Sequence, residues 1–344
     1  MSNVAFTEIL ARRKRYFATD PRNFEFEGLL ASGGHGDTYL ISELNSDRTL
    51  TRKFVAKFST ADIRSLTDLQ KEIRIAQRLY GTIHIAQPIL DNERMLTLPR
   101  NPLNAPAEDK IVLFLEYLPG VTLGEFIRRA QQWDVIPNRV LWMIFRCLAK
   151  MVVAMARPPN RPFGSLDDNS EIEAVPDTER TNRDYQIFHG DLDNFNNMVF
   201  GNFDMNEHWL VPILKAIDFG LAIDEIGHDI SGRMMRGVSA GTFTQANIYY
   251  IGRAMQSIYA HYTQAAFPNL DAGLYYLAAR CASPDHQQRP PLAELVNTIE
   301  NAITTKTGPE SFPGSPWYFY ETDEMVRYYV TEVLLSPTQR EAIG

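Results

Sequence analysis

Two stretches of the chain rich in carboxylate and amide side chains constrain it more than any other feature. Residues 188–198 read FHGDLDNFNNM and contain Asp191, with Asn196 five positions later. Residues 217–220 read IDFG and place Asp218 at the end of an apolar run. Oxygen atoms are the ligands that Mg²⁺ prefers. A fold that joins the two stretches can hold Mg²⁺ on a triphosphate, while one carboxylate receives the proton of a hydroxyl.

The pattern HxDxxxxN with a downstream DFG is a specific catalytic signature. Through it the chain resembles the protein-kinase-like superfamily of phosphotransferases. The resemblance implies that Asp191 is the catalytic carboxylate and that Asp218 is a Mg²⁺ ligand. It implies the same ligand role, and a part in catalysis, for Asn196. It also places His189 and Phe219 in a stack of buried side chains.

A glycine-rich stretch precedes these motifs and lies between two segments that alternate as strands do. Its glycines are Gly33, Gly34 and Gly36, while Ala31 and Thr38 replace the first glycine and the valine of the kinase template. Glycines let backbone N–H groups close over phosphates without a collision of side chains. By resemblance, the three glycines bind the phosphates of ATP.

The following strand-like segment contains Lys57, which by resemblance contacts the α- and β-phosphates of ATP. A lysine in a partly buried site needs an anionic partner. Residues 66–79 have a helical apolar stripe, and Glu72 projects beside it in the middle of the helix. We therefore expect Lys57 and Glu72 to form a catalytic ion pair.

The adenine ring is assigned to four further positions, all by resemblance. Val55 on the lysine strand covers one face of the ring, and Met198 lies beneath the other. The backbones of Glu116 and Leu118, in a segment similar to the hinge between the kinase lobes, form hydrogen bonds with it.

Four departures from the kinase pattern bear on activity. Gly190 stands where regulated kinases have an arginine for an activation-loop phosphate, so activation by such a phosphate is not expected. Asp193 replaces the lysine that steadies the transferred phosphate, which slows transfer or leaves that charge to another group. Asn247 replaces an aspartate but keeps an acceptor for backbone N–H groups. Arg289 normally pairs with the glutamate of an APE motif, which is missing, so its partner stays open.

Charge and composition limit the other classes of function. The net charge of -8 disfavours a nucleic-acid or anionic-membrane surface. The most apolar run, residues 140–156, contains Arg146 and Lys150 and falls short of a membrane span. Cys147 and Cys281 lie in apolar helical contexts, so neither a disulfide framework nor a zinc site is expected. We expect a cytoplasmic protein.

A basic cluster at residues 12–15 leaves a nuclear location as the alternative. The preferred interpretation of this cluster is the solvated end of a helix over residues 3–17.

The predicted fold is α+β, a two-lobed protein-kinase-like fold. A small antiparallel β lobe with one main helix covers residues 25–118, and a larger, mostly helical lobe covers residues 119–305. Residues 1–24 form an N-terminal extension and residues 306–344 an aromatic C-terminal extension that packs back on a lobe. A polar insertion at residues 157–186 interrupts the second lobe.

These residues leave three functions open. The first is Mg²⁺-dependent transfer of the γ-phosphate of ATP to a Ser or Thr hydroxyl of a protein. The second is phosphorylation of a small metabolite, favoured by Gly190, Asp193 and the missing APE motif. The third is a non-catalytic, nucleotide-binding scaffold, favoured by Asp193 and Ala31. The expected partners are ATP and a protein or small-molecule hydroxyl acceptor, with no nucleic acid and no membrane.

Overall fold

The computed structural model describes residues 3–33, 36–60, 63–91, 94–98, 106–159, 173, 186–204, 206–224, 229–260, 270–313, 317–335, 337 and 339–340. Over these residues the chain is a mixed α+β structure with a small antiparallel sheet and eight α-helices. The described residues divide into two compact units. The first contains residues 3–80 and 86–117, and the second contains residues 81–85, 118–159 and those from 173 onward.

The first unit is built on a four-stranded antiparallel sheet. Its strands and helices, in chain order, are α1 (Asn3–Ala18), β1 (Phe24–Gly33), β2 (Gly36–Leu44), β3 (Leu50–Phe58), α2 (Ile63–Arg78), β4 (Leu90–Asp91), β5 (Arg94–Met95) and β6 (Val112–Glu116). The strand order of the four-stranded sheet is β1-β2-β3-β6, and β4 and β5 pair with each other as a separate ribbon. One face of α2 is apolar and buried, as the spacing of its leucine, isoleucine and alanine residues predicts.

Helix α1 belongs to the core of the first unit, although the sequence analysis set residues 1–24 apart as an extension. Phe17 is fully buried, and its ring lies edge-on to Phe58 and Phe114 at centroid distances of 6.4 and 6.3 Å. A buried aromatic ring of this kind contributes strongly to the stability of a core. The first unit therefore begins with α1.

The basic cluster is not a fully solvated helix end, because Arg13 is only 1 % exposed. Its guanidinium donates to Asp37 at 2.6 Å, to Asp109 at 3.1 Å, and to the Tyr39 hydroxyl at 2.9 Å. It also donates to the carbonyl oxygen of Ser59 at 2.9 Å. A buried guanidinium needs such a set of acceptors, and strand β2, the residue after β3 and a 3₁₀ turn supply it.

The second unit is mostly helical. Its elements, in chain order, are α3 (Leu123–Ala130), α4 (Asn138–Ala156), β7 (Met198–Phe200), β8 (Leu214–Ala216), α5 (Phe243–Ala260), α6 (Ala272–Cys281), α7 (Leu292–Thr305) and α8 (Asp323–Val333). Helix α4 is apolar on nearly every face and packs against both α5 and α7. Among the described helices, none combines the length and the apolar character that a membrane span needs.

The C-terminal tail packs back on the second unit, as predicted. Helix α8 buries Val326, Tyr329, Val330 and Val333. Arg129 at the end of α3 donates to the carbonyl oxygen of Leu335, just beyond α8, at 3.2 Å. The predicted polar insertion at residues 157–186 lies outside the described residues, apart from residues 157–159, 173 and 186.

Candidate active site

Lys57 and Glu72 form the ion pair that the sequence predicts. The ammonium group of Lys57 donates to the two carboxylate oxygens of Glu72 at 2.8 and 3.0 Å. Lys57 is central in the sheet, where β3 pairs with β2 on one side and β6 on the other. The two side chains are 5 % and 2 % exposed, so each charge depends on the other. The arrangement holds one buried ammonium group at a fixed place on the sheet.

The glycine-rich stretch is the turn end of the β1–β2 hairpin, where Gly33 pairs with Gly36. Gly36 has φ +141°, and a Cβ atom there would lie 2.1 Å from the carbonyl oxygen of Phe58. Only glycine fits such a close approach of two strands. Gly33 has open space around it, and Gly34 lies outside the described residues. Of the described pair, only Gly36 is a steric requirement.

The adenine positions of the first unit lie on neighbouring strands. Val55 on β3 pairs with Leu115 on β6. Glu116 ends β6, and its N–H group donates to the carbonyl oxygen of Gln87 at 2.8 Å. Leu118 follows in the second unit, in the irregular segment before α3. Val55 and Glu116 are therefore held by the sheet.

In the second unit, the β7–β8 hairpin connects the two sequence stretches. Met198 is fully buried and pairs with Ala216, and the N–H group of Ile217 donates to the carbonyl oxygen of Asn197 at 2.9 Å. Asp218 is the next residue, and its Oδ1 accepts from the N–H group of Gly220 at 2.9 Å. Because strand pairing fixes the register, Asn197 and Asp218 come to the same end of the hairpin.

Asn197, and not Asn196, contacts the predicted catalytic carboxylate. Its Nδ2 donates to Oδ2 of Asp191 at 2.7 Å and to the carbonyl oxygen of Asp191 at 3.2 Å. Asn196 is exposed, and its Oδ1 instead accepts from the hydroxyl of Thr122 at 3.2 Å. The kinase spacing selects Asn196, but the 3₁₀ turn Phe195–Asn197 directs the next asparagine inward. The run NFNN is the sequence signal of this ambiguity, because it offers two adjacent asparagines.

His189 belongs to the first acidic stretch and contacts the second. Its ring is fully buried and contacts that of Phe219, as the resemblance implies, with centroids 4.7 Å apart and planes tilted by 46°. Burial lowers the pKa of His189 to about 4, although the negative charges of Asp218 and Asp191 act in the opposite direction. Both carboxylates therefore interact electrostatically with this imidazole, which is neutral near pH 7.

Gly190 leaves no room for the arginine of regulated kinases. Its φ is +81°, and a Cβ atom there would lie 2.6 Å from the carbonyl oxygen of Leu221 and 3.2 Å from Nη1 of Arg233. That guanidinium donates to the carbonyl oxygen of Leu221. A positive charge from the downstream segment thus lies beside Gly190.

Asp193, in the place of the phosphate-steadying lysine, is an exposed side chain. Partial desolvation, followed by the charge of Asp191, raises the pKa of Asp193, while Arg253 opposes the rise. Asp193 adds negative charge close to Asp191, so the lysine's contribution has to come from another residue.

Asn247 and Arg289 both have hydrogen-bond partners within the second unit. Asn247 accepts from the N–H group of His189 at 3.1 Å and donates to the carbonyl oxygen of Ile187 at 2.8 Å. Arg289 donates to carbonyl oxygens at 2.6 to 3.3 Å, namely those of Ser239, Ala240, Gln245, Ser283 and Pro284. Burial lowers the pKa of Arg289. Backbone oxygens thus take the place of the missing APE glutamate and hold the segment before α5.

Comparison with known proteins adds no family to this geometry. A scan against protein-family models finds no match for the chain, and a search of curated proteins finds no significant relative.

Proposed function

We propose that this protein is an ATP-dependent phosphotransferase that moves the γ-phosphate of ATP to a Ser or Thr hydroxyl of a protein. The observation that carries the proposal is the convergence of Asp191, Asn197 and Asp218 at one end of the β7–β8 hairpin. A carboxylate for the acceptor hydroxyl and oxygen ligands for a metal ion are the parts that this reaction needs.

The roles within the second unit follow from the contacts. Asp191, oriented by Asn197, receives the hydroxyl proton of the acceptor. Asp218 and the amide oxygen of Asn197 are the donors for Mg²⁺, and we propose Asn197 for the role that the spacing assigned to Asn196. When bound, Mg²⁺ neutralises the charge of the triphosphate oxygens. Met198 supplies an apolar floor for the adenine ring.

The roles within the first unit depend on the buried ion pair. Glu72 holds Lys57 in one position, from which its ammonium group binds the α- and β-phosphates. The backbone at Gly33 and Gly36 covers the phosphates, and Val55 and Glu116 line the adenine site. Because Lys57 is buried, water does not compete with Glu72 for its ammonium group, and the charge is held in place before the nucleotide binds.

The preference for a protein acceptor comes from Arg289. Its contacts to the backbone of Ser239 and Ala240 hold the segment before α5 in a defined conformation. An ordered segment there gives a peptide a surface to lie on.

A nucleotide-binding protein without transfer is the second candidate, and Asp193 favours it. A carboxylate in place of a lysine repels the transferred phosphate, so binding of ATP persists while transfer slows.

Radiolabelled ATP distinguishes these functions. The purified protein is incubated with Mg²⁺, labelled ATP, and either a generic protein substrate or a pool of metabolites, beside an Asp191→Ala control. We expect label in the protein substrate and none with the control. Label in a metabolite alone identifies a small-molecule kinase.

The binding arm of the experiment is a thermal shift with Mg²⁺ and ATP. We expect Asp218→Asn to abolish the Mg²⁺-dependent rise in Tm and to leave the Tm of the free protein nearly unchanged. A normal rise without any transfer supports the non-catalytic candidate. Equal shifts in both proteins show that Asp218 is not a metal ligand.

A further inference from the structure

Three buried side chains of the second unit, far apart in the sequence, meet at one point. His84 lies in the segment 81–85, Cys147 in the middle of α4, and His208 before β8. Each is at most 1 % exposed. One ligand atom from each lies within 4.8 Å of those from the other two. None of the three has a role in the proposed phosphotransfer.

We propose that His84, Cys147 and His208 bind a Zn²⁺ ion that cross-links three segments of the second unit. Imidazole nitrogen and thiolate sulfur are the donors that zinc prefers, whereas Mg²⁺ and Ca²⁺ select oxygen. No zinc site is expected from the sequence, where Cys147 lies in an apolar helical context.

The separation of the two histidine nitrogens fits a tetrahedral ion. Tetrahedral zinc, with bonds of about 2.0 Å to nitrogen and 2.3 Å to sulfur, separates two nitrogens by about 3.3 Å and nitrogen from sulfur by about 3.6 Å. Nε2 of His84 lies 3.1 Å from Nε2 of His208. Sγ of Cys147 lies 3.9 Å from the other ring nitrogen of His208, Nδ1, and only one of the two nitrogens of His208 can bind the ion. One ligand atom from each residue lies within 4.8 Å of the other two, so binding of the ion requires the side chains to move closer by about 1 Å.

Glu173 prepares His84 as a ligand. Its Oε2 lies 2.5 Å from Nδ1 of His84, which places the proton on Nδ1 and leaves the Nε2 lone pair directed at His208. Its Oε1 accepts from the N–H groups of Ile83 and His84 at 2.6 and 2.9 Å. Both oxygens of Glu173 are thus occupied, so it orients a ligand rather than binding the ion. Carboxylate–histidine pairs of this kind are characteristic of zinc sites.

Cys147 has the environment of a thiolate ligand. The N–H group of Leu214 donates to its Sγ at 3.4 Å, and hydrogen bonds from backbone N–H groups to sulfur are a feature of metal-bound thiolates. The two-histidine, one-cysteine set leaves one tetrahedral position, which water can occupy.

The competing arrangement needs no metal. The thiol of Cys147 donates to Nδ1 of His208, whose Nε2–H donates to Nε2 of His84, whose Nδ1–H donates to Glu173. This hydrogen-bonded chain satisfies every polar atom, so the experiment has to separate it from the ion.

The decisive experiment uses Cys281→Ser, which leaves Cys147 as the single thiol of the chain. The protein is expressed without a metal-affinity tag in medium that contains Zn²⁺ or Co²⁺, so that the ion is present during folding. It is then dialysed against excess Mg²⁺ to displace weakly bound ions. We expect about one Zn²⁺ per chain by elemental analysis. We also expect a thiolate-to-Co²⁺ charge-transfer band in the near ultraviolet.

Two variants test the individual roles. Cys147→Ser loses the band, whereas Cys281→Ser keeps it, although both cysteines are buried. Glu173→Gln keeps the band and weakens Zn²⁺ binding by about 10- to 100-fold, as for other residues that orient a metal ligand. If Cys147→Ser does not fold, the spectrum of Cys281→Ser decides alone. Less than about a tenth of an equivalent of either ion in that protein, without the band, means that the hydrogen-bonded chain is the whole arrangement.

Discussion

The asparagine that donates to Asp191 lies one residue later in the chain than the kinase spacing predicts. Asn197 donates to the Asp191 carboxylate at 2.7 Å, while Asn196 contacts Thr122. Both are asparagines in the same turn, so they form a matched pair for substitution.

We predict that Asn197→Ala lowers phosphotransfer by more than about 100-fold and Asn196→Ala by less than about 3-fold. The reason is that, of the two asparagines, only Asn197 donates to Asp191, and its carbonyl oxygen accepts from Ile217, the residue before Asp218. Turnover is measured over a range of Mg²⁺ concentrations, where Asn197→Ala requires more Mg²⁺. If Asn196→Ala is the more damaging change, Asn196 has the role that the kinase spacing assigns to it, and Asn197 does not.

His189 is the second residue with a measurable signature. Its folded pKa of about 4 lies below the ordinary value of 6.5, so the unfolded chain takes up a proton first as the pH falls. The stability it contributes is present above about pH 6.5 and is lost as the pH falls towards 4.

We predict that the free energy of unfolding falls by about 2 kcal/mol more between pH 8 and pH 5 in the native protein than in His189→Phe. Other ionisable groups are common to both proteins and cancel in the difference. The measurement is urea unfolding without Mg²⁺ or nucleotide, followed by tryptophan fluorescence. All four tryptophans belong to the second unit, as His189 does. If the free energy of unfolding depends on pH in the same way in both proteins, protonation of the His189 ring does not destabilise the folded state.

At the scale of elements, α4 depends on a carboxylate from the tail. The helix begins after Pro137, which offers no side-chain cap. Glu321 takes that place: its two oxygens accept from the N–H groups of Asn138 and Arg139 at 2.7 and 3.1 Å. A negative charge is favourable at a helix N-terminus, where N–H groups have no partner in the helix.

We predict that Glu321→Ala lowers the free energy of unfolding by about 2 to 3 kcal/mol, since it leaves buried N–H groups without an acceptor. Glu321→Gln retains one oxygen and costs about 1 kcal/mol. The exposed Glu324 at the start of α8 is the control, and Glu324→Ala should change stability by less than about 0.5 kcal/mol. If the two alanine substitutions lower the free energy of unfolding in urea equally, Glu321 does not cap α4.

At the scale of the whole molecule, α1 defines where the first unit begins. Arg13 from α1 joins Asp37 at the start of β2 to Asp109 before β6. Removing one partner from a buried ionic network leaves uncompensated charge, which is costly.

We predict that Arg13→Met destabilises the first unit by about 3 to 5 kcal/mol, whereas Arg15→Met, at an exposed position on the same helix, changes little. Hydrogen exchange of β2 and β3 measures the effect within the first unit. Exchange of their protected amides should rise by more than about 100-fold in Arg13→Met alone. Equal protection in the two variants would mean that α1 is an appendage.

The sequence alone determined several local elements and one buried ion pair. Periodicity and turn residues predict α2 and α4, and the motif spacing predicts Asp191, Asp218 and the Lys57–Glu72 pair. These features depend on neighbours in sequence or on a recurrent spacing, which a linear chain displays.

Only the tertiary structure decided which distant groups meet. It buried Arg13 between two carboxylates, gave Arg289 backbone acceptors, and joined His84 to Cys147 and His208. It also selected Asn197 over Asn196, since a turn of three residues decides which side chain faces inward. Leaving a buried polar group without a hydrogen-bond partner costs more free energy than any local conformational preference contributes. The partners of such a group therefore come from whichever distant segment the fold brings next to it.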